Sequence, residues 1–415
     1  MNVLWYYAIG FIIIWTLAIL FKDRLKIDIE GPLLMRRTQR LRDSIDYIAN
    51  LSPKCWIWIM NLGLPVAFFF MAVMLILIIN SLPTTFSNPS MALVLPGIDI
   101  PGSPIVIPLG YGIIALMTVM IVHEFGHGII ARVEGVKIKS IGVLLLAVLP
   151  GAFVEPDEED IKKSPPISKL RIYAAGSIFN LILALKSYII LVFIGVLIIG
   201  SVFIGIPGLN IPGTTITTQP IGFAVNGPVF PTFHEEGVEI TRITPKSPAD
   251  GILTPGTVVQ SINGVNVTSF TGFTTVLNHT HIGENVTFQT TQGNYSIIVG
   301  PSPKNSSRGY IGIEYHQHLA VNSDVKKAVG EELPWFIYSL QNLFFWILLL
   351  NLAIGTFNLL PMKPLDGGLL LEELLSYKLS KDKVKKIINP LSYALILIIG
   401  TMIIYSIGRG ISLLF

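Results

Sequence analysis

The chain has 415 residues, of which 51% are hydrophobic and only 13% charged, against a charged share of about 25% in a typical soluble domain. A net charge of +3 gives no basis for nucleic-acid binding. The single cysteine, Cys55, excludes an internal disulfide framework and a cysteine-based metal site. Apolar residues at this density, gathered into runs of 18 or more, mark membrane spans.

In chain order, six apolar stretches are long enough to cross a bilayer: 3–21, 57–81, 105–131, 172–205, 335–360 and 388–407. The first has no basic residues before it and no small-residue cleavage site, so it reads as a retained span rather than a removed signal peptide. Lysine and arginine gather after the first stretch (Arg36, Arg37, Arg40, Arg42), between the third and fourth (Arg132, Lys137, Lys139, Lys169, Arg171) and before the sixth (Lys378 to Lys386), whereas the 81–104 loop has none. The positive-inside rule puts the basic segments in the cytoplasm, with both termini, the 81–104 loop and the insert at 206–334 outside. A shorter run, 141–154, is interrupted by Pro150 and Gly151. It predicts a re-entrant hairpin or sheet buried against protein, because backbone at membrane depth must satisfy its polar groups internally.

The insert predicts a small β-rich domain. Residues 238–243 alternate as a strand, 247–251 and 255–256 carry turn chemistry, and 258–262 is a second strand closed by Asn263-Gly264. Further strands are expected at 286–291, 295–299 and around 310–313. Asn266, Asn278, Asn285, Asn294 and Asn305 each begin an Asn-X-Ser/Thr sequon, which suits an exported surface. The order of these features resembles a PDZ domain. That resemblance implies a carboxylate-binding loop at Tyr310, Ile311, Gly312 and Ile313 that could take a substrate's C-terminal peptide, with 207–236 as a linker. His316 and His318 have strand spacing, open to a metal pair or to a solvated strand edge, the simpler of the two.

The chemistry centres on His123-Glu124-Phe-Gly-His127, near the end of the third stretch. Residues four apart lie on one helix face, so two imidazoles can share one Zn²⁺, and the intervening glutamate is placed to take a proton from water. Charged groups inside a span cost about 2.5–3.5 kcal/mol each on insertion scales, which a metal offsets. His123 stands nine residues above Arg132, about 14 Å into the hydrocarbon at 1.5 Å per residue. A catalytic zinc wants a third protein ligand. Asp366, in Asn358-Leu-Leu-Pro361-Met-Lys-Pro364-Leu-Asp366-Gly-Gly, comes from the same half of the bilayer. Taken alone, it reads rather as the cap of a short helix at 367–379; the coincidence of depth with an incomplete metal site reverses that preference.

His-Glu-Phe-Gly-His at 123–127 paired with Asn358-X-X-Pro361-X-X-Pro364-X-Asp366-Gly367, with a PDZ-like insert between, resembles the site-2 proteases, which cleave transmembrane helices. The resemblance implies one Zn²⁺ per chain on His123, His127 and Asp366, and Glu124 as general base. It implies single-span transmembrane substrates in the lipid bilayer, and substrate or transition-state contacts from Asn180, Asn358 and Pro361. Ser177 stands where the family usually has proline, so the carry-over to Asn180 competes with a plain interhelical contact. Lys186, about 15 residues into its stretch, is either functional or snorkelling to the interface, with snorkelling preferred.

The expected fold is thus a polytopic α-helical membrane protein of about six spans, with one re-entrant β-like segment and an inserted β-rich PDZ-like domain. Its regions are 1–104 (with a basic cytoplasmic segment at 22–56), 105–206, 207–334 (domain core 235–316), 335–379 and 380–415. Two other readings are a prenyl-protein-type zinc peptidase, against which the Pro-X-Asp-Gly segment argues, and a non-catalytic scaffold, against which the intact Glu124 argues.

Overall fold

The computed structural model describes residues 3–38, 40–83, 95–98, 105–146, 149–198, 232–302 and 305–412. It divides into two compact units, one of residues 1–193 with 339–415 and one of residues 194–338. The 199–231 part of the expected linker and most of the 81–104 loop lie outside the described residues.

The first unit begins with α1 (Val3–Leu20), α2 (Lys22–Leu25), β1 (Asp28–Glu30), β2 (Leu33–Thr38), α3 (Arg40–Leu51) and α4 (Pro53–Ser81). It continues through α5 (Leu109–Val133), β3 (Ile138–Leu146), β4 (Leu149–Pro156), α6 (Glu158–Lys163) and α7 (Pro166–Ile198). Among the described residues, five helices of the chain are long and apolar enough to cross a membrane: α4, α5, α7 and the two long helices that close the chain. Six were expected. The first run forms α1, of which Tyr7–Leu20 ranks among the shorter apolar helices. Eighteen residues rise about 27 Å, slightly less than the ~30 Å of hydrocarbon. Apolar side chains on these helices such as Phe69 (62% exposed) and Leu397 (71%) remain outside the packed interior.

The 141–154 run is an antiparallel hairpin, β3 with β4, as the broken apolar pattern suggested. It belongs to a larger sheet of order β1-β2-β3-β4. Leu34 pairs with Leu145 and Arg36 with Val143, so the basic segment at 22–56 supplies two strands. The adjacent Arg36 and Arg37 hid their alternation. β4 is the other edge of this sheet, and its Val154 is buried in the core cluster with Ile129 and Ile130 of α5.

Lipid tails are as apolar as leucine, so these helices associate through close packing of small residues. A Cβ at Gly126 would come within 3.0 Å of the Ala175 carbonyl oxygen, and one at Gly128 within 2.9 Å of Ile45. The turn Gly126–Gly128 therefore lets α7 approach α5 on one side and α3 on the other.

The second unit contains β5 (Phe233–Ile243), β6 (Val258–Ile262), β7 (Val265–Asn266), α8 (Phe270–Asn278), β8 (Asn285–Thr290), β9 (Gly293–Ile298), β10 (Gly300–Ser302), β11 (Asn305–Tyr310), β12 (Ile313–Val321) and α9 (Ser323–Val329). Its main sheet runs β12-β5-β6-β8-β9, with β7 pairing on β6. Asn263 and Gly264 both have positive φ, 50° and 77°, the backbone that a two-residue hairpin needs. Val238, Ile240, Phe273, Phe288 and Ile297 form a closed core. The expected strand at 310–313 needs correcting. β11 ends at Tyr310 and β12 starts at Ile313, with Gly312 at φ 86° turning the chain between them. A Cβ there would meet that of Ser247 at 2.1 Å, so only glycine fits this turn. β12 continues to Val321, beyond the expected domain core.

The chain ends with α10 (Glu332–Phe357), α11 (Asp366–Ser376) and α12 (Lys381–Ser412).

Candidate active site

Helix α5 presents His123 and His127 one turn apart, with their ring centroids 4.8 Å from each other. The 358–368 segment delivers Asp366. The Asn358 carbonyl accepts from the Gly367 N–H at 2.8 Å, so the main chain of Asn358 closes a tight loop through the buried Pro361. A Cβ at Gly367 would lie 2.1 Å from the Leu359 carbonyl oxygen; only glycine lets the loop fold back so closely. Asp366 is the first residue of α11, Leu365 is the N-cap, and no side chain caps this helix. The carboxylate faces the imidazoles instead.

His123 Nε2 lies 3.3 Å from Asp366 Oδ2 and His127 Nε2 lies 3.4 Å from Asp366 Oδ1. The two Nε2 atoms are 3.3 Å apart. Ligands about 2.0–2.2 Å from a common tetrahedral ion stand about 3.3–3.6 Å from one another, and two imidazoles with one carboxylate are a zinc donor set. Among the described residues, this is the only group of three such side chains whose ligand atoms already lie within 4.8 Å of one another.

The surroundings orient the donors. His127 Nδ1 is 2.8 Å from the Ile172 carbonyl. Donating its N–H there leaves the Nε2 lone pair pointing at the other two donors. Asn180, fully buried on α7, sits with its amide 3.3 Å from His123 Nδ1, and its Oδ1 is buried without a partner. Rotating that amide by half a turn gives the oxygen to the Nδ1–H. Ser177 Oγ donates to Asp366 Oδ2 at 3.1 Å. Gly176 faces both rings: a Cβ there would be 2.4 Å from His127 Nε2 and 2.6 Å from His123 Cε1. Glu124 Oε2 accepts from the Val154 N–H of β4 at 2.9 Å, which ties the glutamate to the sheet edge.

Three of these contributors escaped the motif reading. Ser177 looked like a departure from the family pattern, Gly176 was not singled out, and Val154 acts through its main chain. Only packing reveals them. Lys186 lies on the exposed face of α7 beside Leu185 (59% exposed), on a different face from the buried Asn180. An apolar cavity of about 460 Å³ is lined by Ile14 and Leu17 of α1, Met117 and Met120 of α5, and Val143 and Gly151 of the sheet.

A His-Glu-X-X-His helix completed by a carboxylate, set among apolar membrane-length helices, defines the class of membrane metallopeptidases. The chain belongs to peptidase family M50, the site-2 protease family, whose model matches residues 111–399. It is similar to an uncharacterized protein of Methanocaldococcus jannaschii, 28% identical over 370 residues that cover 86% of this chain and 81% of that protein. It is also similar to a membrane-bound transcription factor site-2 protease homolog of Arabidopsis thaliana, 26% identical over 38% of this chain and 25% of that protein. A Clostridium perfringens protein, whose name provisionally calls it a zinc metalloprotease, is 23% identical over 72% of this chain and 96% of its own length. The chain is therefore a multi-pass membrane metalloprotease of this family.

Proposed function

We propose that the protein hydrolyses peptide bonds within transmembrane segments of other membrane proteins, using one zinc ion held by His123, His127 and Asp366. The observation that carries this reading is the convergence of those three side chains, each partly buried, with Glu124 one residue along the same helix. Bound zinc supplies Lewis-acid activation of water. Glu124 takes the proton of the attacking water and passes it to the leaving amine, while the Val154 N–H holds its carboxylate in place. Ile172, Asn180 and Ser177 fix the orientation of the three ligands. Asn180 is also the family-implied contact to the substrate; Asn358 and Pro361 shape the loop that carries Asp366.

A helical substrate hides its peptide bonds in its own hydrogen bonds, so it must be held extended. β4 supports this role because, among the described residues, its outer edge is paired with no other strand, and it reaches Glu124. Val154 N–H points outward, and by the alternation of antiparallel strands the main-chain groups of Ala152 do too. An extended chain added there is recognised through its backbone, with its apolar side chains next to the 460 Å³ cavity.

We further propose six spans, with α1 as the sixth, both termini outside and the β-rich unit outside as a PDZ-like module. A groove supports that module: β12 is the sheet's edge strand, and a cavity of about 290 Å³ lies among Leu277, Arg308, Tyr310, Ile311, Gly312 and Ile313. It would take a substrate's free C-terminus.

The decisive experiment is Glu124→Gln, assayed on a tagged single-span substrate in detergent. It should retain zinc and lose cleavage; cleavage at the wild-type rate would falsify the mechanism.

A further inference from the structure

The β-rich unit carries a second gathering of metal-ligating side chains, which nothing in the proteolytic reading uses. His316 and His318 stand two residues apart on β12, so they project from the same face. Across the ladder, His316 pairs with Glu239 of β5 and His318 with Gly237. One oxygen, Glu239 Oε2, lies 3.1 Å from His318 Nδ1 and 3.5 Å from His316 Nε2. On its far side, His318 Nε2 lies 3.7 Å from Glu236 Oε2.

This arrangement offers a cation a common point of attachment. A neutral imidazole has one N–H, so His318 can donate to only one of the two carboxylates that flank it. Its other nitrogen then turns a lone pair toward an anionic oxygen. His316 brings a second ring to that same oxygen. One divalent ion would take both lone pairs and the carboxylate oxygen together. With Glu236 3.7 Å from Nε2 on the far side and Nδ1 facing Glu239, Nδ1 is the ligand atom and Glu236 the carboxylate behind the ring.

We propose that His316, His318 and Glu239 form a second metal site, separate from the catalytic one, with Glu236 orienting His318. Two imidazoles and one carboxylate select a borderline ion, Zn²⁺ or Cu²⁺, over Mg²⁺ or Ca²⁺, which take oxygen ligands. The catalytic trio is the only group among the described residues already drawn to within 4.8 Å, so the second site closes when His316, 56% exposed, turns toward His318. It is therefore the weaker site and keeps a position open to solvent. The ion would pin the edge strand β12 to β5 close to the irregularity between His318 and Leu319.

The test uses full-length protein purified in detergent through a non-histidine tag, stripped with chelator and equilibrated against buffered Zn²⁺. Zinc per chain is measured by mass spectrometry. Wild type should bind two equivalents, and His316→Ala/His318→Ala one. Glu239→Gln should also lose the weaker equivalent, and Glu236→Gln should weaken it about tenfold. His123→Ala/His127→Ala should lose the tighter equivalent and keep the weaker, so failure of the protease reading would leave this result standing. Circular dichroism checks that the variants fold. A single equivalent in wild type, or a second one that survives in both His316→Ala/His318→Ala and Glu239→Gln, would overturn the proposal.

Discussion

Gly176→Ala isolates the geometry of the catalytic site from its chemistry. The added methyl group would sit 2.4 Å from His127 Nε2, 2.6 Å from His123 Cε1 and 2.7 Å from His123 Nδ1. Ordinary contact begins at 3.4 Å, so the rings or α7 must give way by about 1 Å. Metal–ligand distances hold to about ±0.2 Å, several times less than that. Neither ring can retreat freely, because His127 is tied to the Ile172 carbonyl and His123 lies against Asn180. The same change favours the helix itself, by about 1 kcal/mol from alanine's propensity over glycine's. The protein should therefore fold and melt close to wild type while zinc affinity and cleavage fall at least tenfold. Mass-spectrometric zinc content, a thermal melt in detergent and cleavage of a single-span substrate read the three quantities. Full zinc occupancy with normal cleavage would refute the placement of His123 and His127 against α7.

Ser177→Ala removes the hydrogen bond to Asp366 and should weaken zinc binding about 10–100-fold, measured by competition with a chelator; an unchanged affinity would show that the hydroxyl orients nothing. Ala152→Pro deletes an outward N–H of β4 and should lower cleavage with zinc content intact, whereas Gly151→Pro, whose N–H faces β3, should damage folding as well. Equal behaviour of the two would count against pairing of substrate on this edge. Excision of the β-rich unit should span 233–321, because β5 and β12 form one ladder over that range. Cleavage of long-ectodomain substrates gained on excision would mark the unit as a size filter; cleavage lost would mark it as a receptor.

Much of the site was legible because its signals are local. His123, Glu124 and His127 occupy one helical turn, and helix geometry alone puts the two rings together. Asp366 required depth, the need for a third ligand and the family's Pro-X-Asp-Gly pattern, since 239 residues separate it from His127. The competing reading of Asp366 as a helix cap could be decided only by where its carboxylate points.

The limits lay where contacts join distant segments. Residues 22–56 read as a basic loop, because Arg36 and Arg37 mask a strand whose partner lies more than a hundred residues on, in β3. The run 310–313 read as a strand because three of its residues are apolar or aromatic. The φ of 86° at Gly312 breaks it into a turn between β11 and β12. Composition and periodicity by themselves determined a membrane chain, a helix-borne metal motif and a β-rich insert, since burial in lipid and helical pitch act on neighbouring residues. Tertiary structure alone decided which atoms surround the metal site: Ser177 on Asp366, Gly176 beneath the imidazoles, Val154 on Glu124. These contacts arise from close packing between elements far apart in sequence, which no local pattern encodes.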